Sequence, residues 1–243
     1  MKIKTALYLI PCTLGESSDS SLIEKTLPSY NKEVVKQIKF FVVESKKCAI
    51  RFLKLLAPEI DIDSLHFEEL NEHTDAKTIG HYLDPILKQK KSIGIISDAG
   101  CPAVADPGAL VVEMAQNKNV PVIPLVGPSS MILSVMASGF NGQSFSFNGY
   151  LPVKPGDRAS KIRQLENRAW NENQTQLFIE APYRNIKMFE TLLSTCRKQT
   201  RLCVAAGITT EAEFIHTHTI EEWKKLPEPP INKVPAIFLI FHS

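Results

Sequence analysis

The sequence predicts an α/β protein of two domains, with a mainly parallel sheet in the N-terminal one and a mixed sheet in the C-terminal one. Three features of the chain predict this. Short apolar runs in the first half alternate with stretches of helical spacing. The texture changes after Pro124, where Gly127-Pro128-Ser129-Ser130 opens an apolar helix. The closing strands alternate polar and apolar residues, with connections too short for crossovers. A chain of 243 residues fits two such domains at roughly 150 residues each, and we place them at 1–124 and 125–243.

In the first domain, strands are expected at Leu7 to Pro11, Phe40 to Val43, Leu65 to Glu69, Ser92 to Ser97 and Pro121 to Ile123, all short apolar or β-branched runs. Helical spacing covers Glu33 to Ile38, Lys46 to Leu56 with Ile50, Leu53 and Leu56 on one side, and Thr74 to Gln89 with Ile79, Leu83, Ile86 and Leu87. Thr74 is placed to cap the last of these. Strands joined by crossover helices cannot pair as hairpins, so the sheet is parallel and covered on both faces. In the second domain a helix over Met131 to Ser138 stops at Gly139. Strands follow at Ser144 to Leu151, Gln176 to Glu180 and Leu202 to Ala206, separated by helices at Ala159 to Trp170 and Asn185 to Cys196. Ala212 to His218 and Val234 to Phe241, around a short helix at Ile220 to Lys225, complete the sheet by antiparallel pairing.

Composition sets outer bounds. Hydrophobic residues make up 44% and charged residues 22%, enough for a sizeable core and far from a disordered chain. Lys+Arg 28 against Asp+Glu 26 leaves +2, too balanced to coat nucleic acid by bulk charge, so any such contact is local. The five cysteines (12, 48, 101, 196 and 203) never form a C-x-x-C pair, which argues against a disulfide framework or structural zinc. The start of the chain imitates a signal peptide, but its apolar stretch is short and Pro11 stands where a small residue is needed before Cys12. The expectation is a cytoplasmic protein with no membrane span, to which the Asn173-Gln174-Thr175 sequon is irrelevant.

The most informative stretch is Ser97-Asp98-Ala99-Gly100-Cys101-Pro102-Ala103-Val104-Ala105-Asp106-Pro107-Gly108, which leaves a buried strand and enters a helix. Small residues let a ligand lie against the backbone, and open sheets bind ligands at the carboxyl ends of their strands. A strand-to-helix turn rich in Gly and Pro reads the same way locally. No Gly-Lys-Ser/Thr follows and no G-x-G-x-x-G occurs, so phosphate-cradling nucleotide chemistry has no support.

Ser97-Asp98-Ala99-Gly100-x-Pro102 with Asp106-Pro107-Gly108 resembles the signature of the tetrapyrrole methylase superfamily, specifically the bacterial branch that 2′-O-methylates ribose in small-subunit ribosomal RNA. Three further blocks are similar to that branch's elements, in its order: Pro121 to Ser130, Phe147-Asn148-Gly149-Tyr150-Leu151-Pro152 with Lys154, Gly156 and Arg158, and Ile179-Glu180-Ala181-Pro182-Tyr183-Arg184. The resemblance spans about Leu7 to Ala236. The chain departs from the branch at Thr13 to Asp19, at Glu44-Ser45-Lys46-Lys47 and at Ala206-Gly207-Ile208-Thr209-Thr210, whereas Val234-Pro235-Ala236 looks like an element found more widely in the superfamily.

The resemblance implies an S-adenosylmethionine-dependent methyltransferase, commonly a homodimer, with the cofactor in the cleft between its two domains. Carried onto this chain, the cofactor residues are Pro11, Ser97, Asp98, Ala99, Gly100, Val104, Ala105, Ser129, Ser130, Ala181, Pro235 and Ala236. The substrate residues are Asn71, Glu72, Lys154, Arg158, Glu180 and Arg184. Methyl transfer from a sulfonium is an in-line displacement that mainly requires alignment and desolvation, and no metal. A ribose hydroxyl gains from a nearby base, for which Asp98, Asp106 and Glu180 are the available acids. Asn71-Glu72-His73-Thr74 lines the substrate cleft or simply caps a helix. His216-Thr217-His218 lacks the further ligands a metal site needs. Arg163, Lys161, Arg197, Lys198 and Arg201 face phosphates or solvent. Methylation of a tetrapyrrole or other small metabolite, and a catalytically inactive cofactor-binding module, are the alternatives to the ribosomal RNA enzyme.

Overall fold

The computed structural model describes residues 2–15, 20–71, 74 and 79–242. The chain divides into two compact units, Met1–Ser129 and Ser130–Ser243. The division falls five residues beyond the expected boundary at 124/125. Leu125 is buried in the first unit's core, and the Asn31 side-chain amide donates to the Val126 carbonyl at 2.9 Å, so 125–129 stay with the first unit.

In the first unit, β1 (Leu7–Ile10), β2 (Phe40–Val43), β3 (His66–Glu69), β4 (Ile93–Ile96) and β5 (Val122–Pro124) form one sheet in the order β3-β2-β4-β1-β5. Every pairing is parallel, with Ile93 of β4 in register with Leu7 on one side and Phe40 on the other. The central strand is buried along its whole length, the unbroken apolar run expected of a strand covered on both faces. The pleat sorts its neighbours with period two: Tyr8, Ile10, Phe41 and Val43 enter one core, Leu7, Val42, Ile93 and Ile95 the other.

The helices of this unit are α1 (Ser20–Thr26), α2 (Ser29–Val35), α3 (Lys46–Leu56), α4 (Asp84–Gln89) and α5 (Ala109–Asn117). The Ser45 hydroxyl caps α3 by accepting from the Cys48 amide. Ala49, Phe52, Leu53 and Leu56 form its buried stripe, while Ile50 is only half-buried. The helix expected at Glu33 to Ile38 lies earlier, because Pro28 holds an extended backbone and the chain turns into helix directly behind it. The long helix expected over Thr74 to Gln89 is also corrected. Its described part is a 3-10 turn at Ile79–His81 followed by α4, which Pro85 opens at a first-turn position where its missing N–H costs nothing.

In the second unit, β6 (Phe145–Tyr150), β7 (Thr175–Ile179), β8 (Arg201–Ala206), β9 (Phe214–Thr219) and β10 (Ala236–Phe241) are arranged β6-β7-β10-β8-β9. The pair β6 and β7 is parallel, and α7 (Pro155–Asn171) provides the crossover; β10 runs antiparallel to both β7 and β8, and β8 to β9. The sheet is mixed, as the polar alternation of its tail predicts. Around it lie α6 (Ser130–Ser138), α8 (Asn185–Thr195) and the short α9 (Ile220–Trp223), which a reciprocal Thr219–Glu222 capping box opens. Phe178 and Phe238 stack across β7 and β10 with centroids 6.0 Å apart, worth about 1 kcal/mol beyond their buried area. Buried Glu166 accepts from the Arg197 amide at 2.7 Å and the Thr200 hydroxyl at 2.5 Å, tying α7 to the turn before β8.

Candidate functional site

In the first unit, the segments leaving β1 and β4 lie side by side. The Cys12 amide donates to the Gly100 carbonyl at 2.8 Å, and the Gly100 amide to the Thr13 carbonyl at 3.4 Å. This extends pairing between the two strands past their ends, so Pro11, Ser97, Asp98, Ala99 and Gly100 come together at the carboxyl edge of the sheet. Gly100 is held at φ 67°, the left-handed region, and a Cβ there would lie 3.1 Å from Leu14 Cδ2. The 126–129 segment closes on the same edge. Cys101 Sγ donates to the Pro128 carbonyl at 3.4 Å, and a Cβ on Gly127 would overlap Pro11 Cβ at 2.2 Å. Ser129 therefore joins this group.

Beyond Gly100 the loop is strained. Ala103 and Ala105 adopt φ 64° and 60°, which costs about 1–2 kcal/mol for each such residue. Asp106 opposes that cost: Oδ2 accepts from the Ala103 amide at 2.9 Å and Oδ1 from the Gly108 amide at 2.6 Å. Burial raises the Asp106 carboxyl above its ordinary range, and the two amide bonds only partly offset this. Val104 and Ala105 thus sit on an exposed ridge, with Val104 51% accessible.

Glu44 belongs to this site although it lies in a segment that departs from the resemblance. Its Oε2 accepts from the Asp98 amide at 3.2 Å, so the carboxylate after β2 fixes the turn after β4. The signal in the sequence was its position, one residue beyond a parallel strand. A recess lined by Val43, Glu44, Leu70, Ile96, Ser97 and Asp106 lies at the foot of the loop. The Asp98 side chain is exposed, and its carboxyl is raised mainly by partial burial, against which hydrogen bonds from Cys48 and the Ser45 amide act. Burial, with Asp98 and Cys48 adding to it, pushes the Cys12 thiol far up, leaving it inert as a nucleophile.

The remaining expected cofactor residues lie in the second unit. Ser130 opens α6. Ala181, Pro235 and Ala236 are gathered at one end of the mixed sheet, where Ala236 pairs with Ala206, Ile237 with Ile179, the Lys233 amide donates to the Pro182 carbonyl and the Gly207 amide to the Pro235 carbonyl.

The expected substrate residues fare differently from one another. Lys154 is exposed immediately before α7. Arg158, one turn on, is buried, 3% accessible, with its Nε unpaired among the described residues; it is part of the packing and not a surface cation. Glu180 is fully buried, and its Oε1 receives the Arg184 Nη2 at 2.6 Å and Nε at 2.9 Å together with the Ala181 amide at 2.7 Å. Its Oε2 has no partner among the described residues. Asn71 and Thr74 close a turn on each other, the Asn71 amide donating to the Thr74 hydroxyl at 3.1 Å. Glu72 lies outside the described residues.

The other basic residues are largely engaged within the fold. Arg197 sits over Trp170 at 5.3 Å and bonds Asn167, and Arg201 sits over Phe140 at 5.1 Å. His216 and His218 stack at 6.1 Å in a ladder that continues to Trp223. Among the described residues no group of three or more His, Cys, Asp or Glu is placed to hold a metal ion, and no helix is long and apolar enough to cross a membrane.

No family model matches the chain. It is similar to ribosomal RNA small subunit methyltransferase I of Buchnera aphidicola subsp. Schizaphis graminum, 26% identical over 237 residues that cover 96% of this chain and 77% of the relative. The protein of the same name from Vibrio cholerae is 28% identical over 240 residues, covering 98% and 77%. Among solved structures, the methyltransferase CobJ shares the fold at a TM-score of 0.59, with 13% identity over 90% of each chain.

Proposed function

Because the chain is a divergent member of the tetrapyrrole methylase superfamily, most like its ribosomal RNA small subunit methyltransferase I branch, we propose that it carries a methyl group from S-adenosylmethionine to a ribose 2′-hydroxyl of small-subunit ribosomal RNA. The observation that carries this reading is the Ser97–Gly108 loop at the carboxyl edge of the parallel sheet. There a left-handed glycine, two strained alanines and a backbone bridge to the segment after β1 present main chain rather than side chains to a ligand. Strain held in place by a dedicated acid is characteristic of a site that needs one geometry.

Bound S-adenosylmethionine supplies a methyl group on a sulfonium, ready for in-line displacement. The residues of this chain contribute orientation and charge. Ala99 is exposed, and the small groups of Pro11, Ser97 and Gly100 buried behind it would let the cofactor lie close to the main chain. Asp98 adds an exposed carboxylate of the sign that suits its cationic centres, and Glu44 fixes the Asp98 amide. Asp106, with both oxygens bound to backbone amides, positions the loop. Glu180 has the same kind of role in the second unit, holding Arg184. Of the three acids considered as a base for the ribose hydroxyl, Asp98 is the one whose carboxylate is open to solvent. The reading extends to a cytoplasmic homodimer. Exposed Ile132 and Met136, one turn apart on α6, support an apolar contact between copies.

The test is transfer of radiolabelled methyl from S-adenosylmethionine. Label is expected in a ribose of small ribosomal subunits; label found only in free small molecules would overturn the substrate, and no calorimetric binding of the cofactor would overturn the site.

A further inference from the structure

Tyr150, Tyr183 and Arg184 are brought together at the carboxyl end of the parallel pair β6 and β7. Tyr150 is the last residue of β6 and pairs in register with Ile179, the last residue of β7; Glu180 follows, and Tyr183 and Arg184 lie in the turn behind it. Large aromatic side chains are normally covered, yet Tyr150 is 65% and Tyr183 69% accessible. Beside Tyr183, Arg184 is immobilised. Two of its nitrogens bond Glu180 Oε1, its guanidinium carbon lies 5.2 Å from the Tyr183 ring centroid, and its Nη1 is 3.4 Å from the Tyr183 hydroxyl. A rigid guanidinium beside two exposed rings is a surface for flat, electron-rich groups next to negative charge. Exposed Lys154, four residues after Tyr150, adds a cation beyond the end of the same strand.

We propose that Tyr150, Tyr183 and the Glu180-clamped Arg184 form a stacking platform for unstacked bases of the RNA strand that carries the target ribose. The proposal rests on the ribosomal RNA reading of the function and deepens it. A ribose within a helix is shielded by its neighbours, so the target strand has to be splayed. Bases taken out of a stack recover much of that cost on aromatic faces and arginine planes. Such contacts tolerate any sequence, which fits a chain whose net charge is only +2 and whose affinity for RNA therefore needs contacts other than charge.

The experiment uses the full chain with two probes, a fluorescein-labelled oligoadenylate of about a dozen nucleotides and intact small ribosomal subunits. Tyr150→Ala and Tyr183→Ala are each expected to weaken oligoadenylate binding about tenfold, while Tyr150→Phe and Tyr183→Phe keep the wild-type affinity because the ring remains. The salt dependence should be unchanged in all four, since no phosphate contact is lost. On subunits the alanine variants should raise KM for RNA without changing S-adenosylmethionine affinity. Melting curves confirm folding; should an alanine variant unfold, leucine at the same position removes the ring and keeps the bulk. Oligoadenylate that wild type fails to bind, or that the alanine or leucine variants bind equally well, overturns the platform. So does conversion of a dimer to a monomer with RNA affinity unchanged, which would make this surface a contact between copies. If subunits are not methylated by wild type while oligoadenylate binding still depends on both rings, the functional reading falls and the platform stands.

Discussion

The loop after β4 and the turn after β7 both follow the carboxyl end of a parallel strand, yet they are held by opposite means. Ser97–Gly108 is shaped by backbone: the Cys12–Gly100 and Gly100–Thr13 bonds, the Gly127 contact with Pro11, and two alanines in the left-handed region restrained by Asp106. Glu180–Arg184 is shaped by side chains, with a buried carboxylate gripping a guanidinium and a tyrosine against it. A backbone-built surface accepts one ligand shape and tolerates no added Cβ. A side-chain-built surface can be retuned residue by residue. On the reading proposed above, the first would hold the cofactor and the second would meet the RNA.

The largest effect that tests this contrast is expected from Gly127→Val. Its Cβ would lie 2.2 Å from Pro11 Cβ and 2.7 Å from Pro11 Cγ, an overlap with a ring that cannot rotate away. Overpacking of this kind costs about 3 kcal/mol, and the segments after β1 and before Ser129 must part. Urea denaturation should show that loss and calorimetry a loss of cofactor binding; a variant with wild-type stability would mean the approach to Pro11 is not fixed.

Next in size, Gly100→Val places a β-branched residue at φ 67° against Leu14. The strain is about 1–2 kcal/mol, so the fold should survive with a lower melting point while cofactor affinity falls by more than tenfold. Gly100→Ala should show the same loss in smaller degree. Unchanged affinity in both would remove this glycine from the cofactor surface.

A pair of basic residues separates packing from recognition in the second unit. Arg158→Ala should lower stability by about 1–3 kcal/mol, because a buried side chain is deleted from the first turn of α7. Lys154→Ala should leave stability within about 0.5 kcal/mol and lower the salt slope of RNA binding by roughly one. Denaturation curves and binding at two salt concentrations read the two apart; equal behaviour would mean both lie at the surface.

How far this organisation was legible in the sequence follows the same division. The bounds of β2 and α3 were readable because a β-branched run ends at Val43 and Ser45 caps the helix behind it. The Ser97–Gly108 loop was readable from its small residues, whereas Glu180 and Arg184 were legible as substrate residues but not as an ion pair, since a four-residue spacing outside a regular α-helix does not show which charges meet. The burial of Arg158 was not legible, since an arginine in the first turn of a polar helix reads as a surface cation. Nor were the left-handed backbones of Ala103 and Ala105, since alanine carries no preference for that region. Glu44 escaped because its partner, the Asp98 amide, is 54 residues away in the chain, and its place one residue beyond a parallel strand points to the sheet edge without naming that partner.

A loss of about 1 kcal/mol is expected at the acid that restrains the strained loop, and the sign of its pH dependence discriminates between two accounts of Asp106. The Asp106→Asn variant keeps one oxygen acceptor and puts a donor against the second amide, so it should lose about 1 kcal/mol at neutral pH through one broken bond. Burial holds the folded carboxyl above its unfolded value of 3.8, so between those two pKa values the folded chain binds more protons than the unfolded one. The contribution of this group to stability therefore falls as pH rises through that window and recovers as pH is lowered back through it. The stability gap between wild type and Asp106→Asn should widen on going from pH 7 toward that window, with other titrations common to both chains. Denaturation at a series of pH values measures the gap directly. A gap that narrows toward acid would mean that the two amide bonds outweigh burial, and that the loop is held by the charge of Asp106 more than its burial opposes it.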